Sequence, residues 1–229
     1  MPEYSPILAV VTGCFELLAA LYTLTGPGRK RILYPVGLIL LLLAGYQFAE
    51  VAVCANPGNL SLSRLSFFEI TWLPPVGIWL IALLIRPGRK WLKAAALAYF
   101  TAAAAICVWI SADAGCITKS VCQVVVARYF QSSLFEIVYG VFYQSGLAVM
   151  VFGAAAGMAQ ADDIVLRKHL ANVQVGVLGF MLPALVLRFL VREPLGILPS
   201  VMCHFALVFA VSLVALVVRE RRLQSHPAL

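Results

Sequence analysis

The sequence predicts an all-α integral membrane protein, a bundle of seven transmembrane helices with its N-terminus outside and its C-terminus in the cytoplasm. Three observations predict it. Of 229 residues, 62% are hydrophobic and only 12% are charged, with a mean hydropathy of +0.96. A soluble domain carries about a quarter charged residues. The apolar residues form runs long enough to cross a bilayer, separated by short polar breaks. Lys and Arg gather in alternate breaks, and that asymmetry orients a membrane chain. Only helices or closed barrels satisfy the backbone in lipid, and strand-length alternation is absent from these runs. Residues 1–222 are therefore expected to form one seven-helix domain, and 223–229 a short cytoplasmic tail. No basic region precedes the first apolar run, so no cleavable signal is expected.

Span one is expected near 6–25, closed by GPGRKR at 26–31. Pro and Gly end the helix there, and basic residues anchor the turn. Span two follows near 32–53, then a loop around 54–65 and span three near 66–85. Pro74 and Pro75 remove backbone hydrogen bonds within span three and should kink it, with Trp72 and Trp79 bracketing the kink. RPGRK at 86–90 reuses the turn chemistry of PGRK at 27–30. Span four near 92–112 leads into a loop around 113–133 and span five near 134–158. AQADDIVLRKHL at 159–170 precedes span six near 174–191, where Pro183 should introduce a second kink. REPLGIL then connects to span seven near 198–218 and the tail RERRLQSHPAL.

Twelve of the 17 Lys and Arg, from Arg29 to Arg222, fall on one side of this arrangement. Arg64, Lys119, Arg128 and Arg192 fall on the other, and Arg188 lies within span six. Three loops and the tail thus agree on a cytoplasmic basic face. The net charge of +7 is accounted for by topology and attraction to anionic lipid, and no nucleic-acid partner is expected. The bilayer itself is the expected partner, and the inner (cell) membrane the expected location. The cysteines divide by side. Cys54, Cys116 and Cys122 lie at the outer face, where disulfides form. Either Cys54 ties to the loop before span five or Cys116 closes on Cys122, and an odd number leaves one over. Cys14, Cys107 and Cys203 read as small buried hydrophobes.

Direction and depth bring polar groups to one outer layer. Gln47 and Glu50 stand at i and i+3 on one face of span two, and Cys54 continues that face. Glu69 and Thr71 sit in the outer third of span three, Glu136 and Tyr139 at the same level of span five. His204 enters from span seven and Arg188 from the end of span six. An acid or base in a span costs roughly 2.5–3.5 kcal/mol at the bilayer centre, less toward the interface. An ionisable group there is read first as a functional site. The bland readings are a solvated Glu136, a packing His204, and Glu69 paired with Arg188 as structural glue.

The leading expectation is a ligand-recognition or sensor-like protein with an outer-leaflet pocket. Gln47, Glu50 and Glu69 form its core, with Thr71, Glu136, Tyr139 and His204 around it and Arg188 as counter-charge. One alternative is a metal- or cofactor-dependent membrane enzyme, since Glu50, Glu69, Glu136 and His204 are donors a transition metal takes from a helical bundle. Another is a small transporter or accessory subunit in which these groups are helix contacts. Glu-x-x-His spacing is absent, and His169 and His226 lie outside the spans, so three-histidine zinc hydrolysis is not available. Span seven has no lysine for retinal, and no hydrolase triad motif or phosphate-cradling glycine loop occurs.

The segment Tyr46-Gln47-x-x-Glu50, a short loop, Arg64-Leu65-x-Phe67 and Trp72-Leu73-Pro74-Pro75 before a basic turn resembles the N-terminal seven-helix sensor region of some histidine kinases. It is also similar to small bacterial seven-helix proteins with a Gln-x-x-Glu span followed by a Trp-Pro span. The resemblance covers spans two and three and implies an outside-in sensory or ligand-binding module. The seven residues after Arg222 are read as a short tail, so no kinase or other output domain is expected there. A sensory role therefore expects a separate cytoplasmic or membrane partner, reached through RERR or the basic loops.

Overall fold

In the computed structural model the long apolar runs are helices. The structure describes residues 5–56, 58–85, 90–122, 127–191 and 198–225, without the side chains at 184, 187–191, 198–201, 203–204 and 225. Helix α1 (Ile7–Thr25) turns through Gly26–Gly28 into α2 (Lys30–Ala55). Gly28 takes φ 144°, a conformation that L side chains avoid. Helices α3 (Leu60–Ile70) and α4 (Leu73–Leu84) follow, then α5 (Lys90–Ala112), α6 (Ser133–Met158), α7 (Ile164–Val191) and α8 (Leu198–Ser225). Among the described residues five helices are long and apolar enough to cross a membrane: α1, α2, α3 with α4 taken as Leu60–Leu84, α5 and α6. Large apolar side chains such as Ile7, Leu18, Leu97, Val141 and Phe152 face outward, as lipid contact requires.

Sequence and structure differ in three places. The expected kink at Pro74 and Pro75 is a full interruption: α3 stops at Ile70, and the prolines occupy the first turn of α4. A proline there loses no intrahelical bond, so restarting the helix is cheaper than bending it. Helix α7 begins at Ile164 rather than near 174, because Asp163 caps it, its Oδ1 accepting from Val165 N at 2.8 Å. Pro183 lies inside this helix.

The third difference is a two-stranded sheet within an otherwise mostly helical chain. Within the loop around 113–133, β1 (Ile117–Cys122) and β2 (Ala127–Gln131) pair antiparallel. Ala127 and Tyr129 turn inward at the alternating spacing of a half-buried strand, whereas in β1 Ile117 and Ser120 are buried three residues apart, across an irregularity between Ile117 and Lys119. Strands this short are invisible to a search for membrane-length runs. The hairpin rests on the ends of α2 and α3, and a disulfide joins Cys54 to Cys122. Cys116 remains a buried thiol. This hairpin end and the opposite, basic end define the two poles of the bundle.

The disulfide bridges a separation of 68 residues. Its removal by Cys54→Ser is expected to cost about 2–4 kcal/mol. A lower unfolding midpoint in detergent, matched by wild type under reductant, checks this.

Small residues bring the helices close. A side chain at Gly176 or Gly179 of α7 would strike Phe209 and Val208 of α8, and one at Gly77 of α4 would strike Met150 of α6. Gly146 of α6 similarly faces Pro74, while Gly140 opens onto free space. Close backbone approach through small residues replaces the hydrophobic driving force that lipid does not supply. Helix α1 packs on α2 and α8, and α7 packs on α6 and α8, so α8 links α1 to α7.

Candidate functional site

The hairpin end holds most of the polar residues expected from sequence. On α2, Gln47 and Glu50 are 3% and 1% exposed, turned into the bundle rather than toward lipid. Glu69 of α3 fits into a notch at Gly45: a β-carbon at position 45 would collide with the Glu69 carboxyl. Glu50 lies five residues further out along α2, about 7.5 Å of helical rise. The two acids therefore occupy successive levels and not a single layer.

The remaining residues divide. Thr71 is buried, and its Oγ1 donates to Phe67 O at 2.5 Å, a second bond to a carbonyl that also accepts from Thr71 N at 3.1 Å. Tyr139 is part of an aromatic cluster. Phe67 meets Tyr129 and Tyr139 edge-on, each at 5.1 Å, and Phe135 stacks on Tyr139 at 5.4 Å. The hairpin is thus cemented to α3 and α6 by rings. Glu136 falls in the first turn of α6 after the Ser132 cap, where its charge suits the helix dipole. The side chains of Arg188 and His204 lie outside the described residues. Among the described residues no three His, Cys, Asp or Glu side chains converge as a metal site requires. Trp72 and Trp79 both reach Phe100 of α5, each at 6.4 Å.

Glu16 completes this picture from the other side of α2. Gly13 faces Gln47 and Gly37 faces Leu24, and this antiparallel register sets Glu16 about level with Ala44 and Gly45. Its side chain is fully buried, and among the described residues neither carboxyl oxygen has a hydrogen-bond partner. Glu16 and Glu69 flank α2 at one depth, near the middle of the bundle.

A second polar assembly at the basic end has no counterpart in the sequence reading. Glu220 of α8 is 1% exposed and accepts from Arg29 Nε at 2.5 Å and Nη2 at 2.7 Å. His169 of α7, also buried, places Nε2 3.8 Å from the same carboxylate. Both groups lie beyond the spans expected at 174–191 and 198–218. Arg221 adds a second tie, donating to Tyr22 O and lying 3.7 Å over the Tyr22 ring. Burial pushes Glu220 up, but the hydrogen bond and charge of Arg29, with His169, outweigh it and hold the carboxyl below its ordinary range. Burial, reinforced by Arg29 and Arg219, holds His169 below the ordinary histidine value against the pull of Glu220 and Asp163. The available signal was the single acid inside RERR, beside a turn that carries GPGRKR.

No protein-family model matches the chain, and no curated protein matches it. Fold and residue placement define a class: a helical, multi-pass membrane protein with a disulfide-tied hairpin at one pole and a buried ion pair at the other.

Proposed function

We propose that the protein is a seven-span receptor of the inner membrane, its hairpin end outside, recognising a small cationic or hydrogen-bonding ligand through Gln47, Glu50 and Glu69. The observation that carries this reading is the burial of Gln47 and Glu50 on one face of α2, below the disulfide. A lipid-facing or merely solvated pair would not turn inward. The disulfide supports the orientation, because such bonds persist on the oxidising side, and the positive surplus at the opposite end agrees with it. Helices α7 and α8, 28 residues each, supply the sixth and seventh spans. The contact from α1–α2 to α7 and α8 at the basic end gives the receptor a place to report to a cytoplasmic partner.

Thermal unfolding in detergent with putrescine, choline and arginine tests the reading. One of these is expected to raise the wild-type midpoint by about 5–10 °C at saturating concentration. Glu50→Gln should abolish that rise while leaving the ligand-free midpoint within about 1 °C. A wild type indifferent to all three, with a lower ligand-free midpoint in Glu50→Gln, would make the acid structural and end the proposal.

A further inference from the structure

The basic end contains a cavity of about 360 Å³ between the starts of α2 and α7 and the end of α4. Its polar wall is Arg29, Lys30, Arg31, Asp163 and His169, and its apolar wall includes Leu83 and Leu84. Each cation stands differently. Arg29 is committed to Glu220. Lys30 Nζ is held by the carbonyls of Leu24 and Gly26 at 3.1 and 3.0 Å, which fixes a full positive charge in place. Arg31 meets no carboxylate among the described residues. The single acid in the wall, Asp163, is occupied in capping α7.

Two further features point to an anion. The N-terminus of α2 has no side-chain cap; Ile32 N–H donates to Arg29 O at 2.8 Å, so the amides of Lys30 and Arg31 are the ones that can turn to a negative group, which the helix dipole favours. His169 is 1% exposed, and its Nε2 makes no hydrogen bond within the described protein, Glu220 standing beyond hydrogen-bond reach at 3.8 Å. A buried ring nitrogen without a partner is costly unless something in the cavity beside it completes the set.

We propose that this cavity binds a phosphate oxyanion, held by Arg31, Lys30 and the first α2 amides on one side and His169 on the other. The volume suits a small ligand site, roughly 300 Å³ or more. Fixed cations against an apolar wall at the end of a span match both a phospholipid headgroup and a soluble phosphate ester.

The full chain, purified in a neutral detergent, is titrated with inorganic phosphate at constant ionic strength against chloride. In parallel it is reconstituted into phosphatidylcholine nanodiscs with and without phosphatidic acid, and unfolding is followed in both arms. Stabilisation by phosphate in detergent assigns the site to soluble phosphates, and stabilisation by phosphatidic acid alone assigns it to the lipid headgroup. In either arm Arg31→Gln is expected to weaken binding about tenfold without moving the ligand-free midpoint. His169→Gln should weaken it too, read as affinity and not as stability. Lys93→Gln removes an equal charge from the exposed start of α5 and should leave affinity unchanged. No stabilisation in either arm, or equal weakening by Lys93→Gln and Arg31→Gln, overturns the site.

Discussion

Arg29→Ala is expected to destabilise the protein by about 2–3 kcal/mol. The change leaves Glu220, 1% exposed, as a buried acid without its guanidinium, facing His169 and the backbone N–H of residue 29. Breaking a fully buried pair costs about 3–5 kcal/mol, and the figure is reduced here because Arg29 is half exposed and screened by solvent. The double variant Arg29→Gln/Glu220→Gln should recover most of the loss, since it leaves no unpaired charge behind. Unfolding midpoints of the two variants read this directly. The same cluster sets an acid limit. A histidine held below its ordinary value of 6.5 resists the proton that the unfolded chain takes up. Stability therefore falls as pH drops below about 6.5. A carboxylate held below its ordinary 4.5 contributes stability that is full above that value and is lost as pH falls through the folded one. His169→Gln should remove the upper part of this decline and leave the lower part intact.

Gly45→Val is expected to destabilise the protein through one contact, that with Glu69. Any side chain there strikes the Glu69 carboxyl, and overpacking a tight contact costs about 1–3 kcal/mol. The acid would then be driven out of its notch. Glu69→Ala in the same chain frees the volume and should restore the midpoint, so the double-mutant cycle gives a coupling of opposite sign to the single loss. Glu69→Ala alone should be nearly neutral for folding while removing the ligand response proposed for this end. Two equal, additive losses would mean that the notch does not exist.

Most helices were legible because lipid demands uniformity. Apolar runs from Ile7 to Met158 became α1, α2, α5 and α6 almost where expected, with span three divided between α3 and α4, since length and hydropathy suffice when every backbone bond must be local. The Pro74-Pro75 pair was legible as a disturbance, but whether a helix bends or restarts depends on what its neighbours fill. Positions that needed a partner were not legible. The hairpin forms from strands of five and six residues whose stability comes from Cys54, Phe67 and the α6 rings. Arg29 and Glu220 stand 191 residues apart, and each alone reads as one more charge in a basic loop. The site followed the same rule. Burial of Gln47 and Glu50 agrees with their shared helical face, whereas the Gly45–Glu69 notch joins two helices by a shape that neither sequence segment carries.

The grip of Arg29 on Glu220 also has a timetable. At about 5–20 residues per second, Glu220 leaves the ribosome roughly 10–40 s after Arg29. Through that interval α1 and α2 wait in the membrane with their connecting turn unclasped, and the face of α1 that α8 will cover stays open to other chains. Helix α8, made long after α1, is therefore the one that completes its packing. Quality control of the newborn protein would be concentrated at the moment α8 arrives.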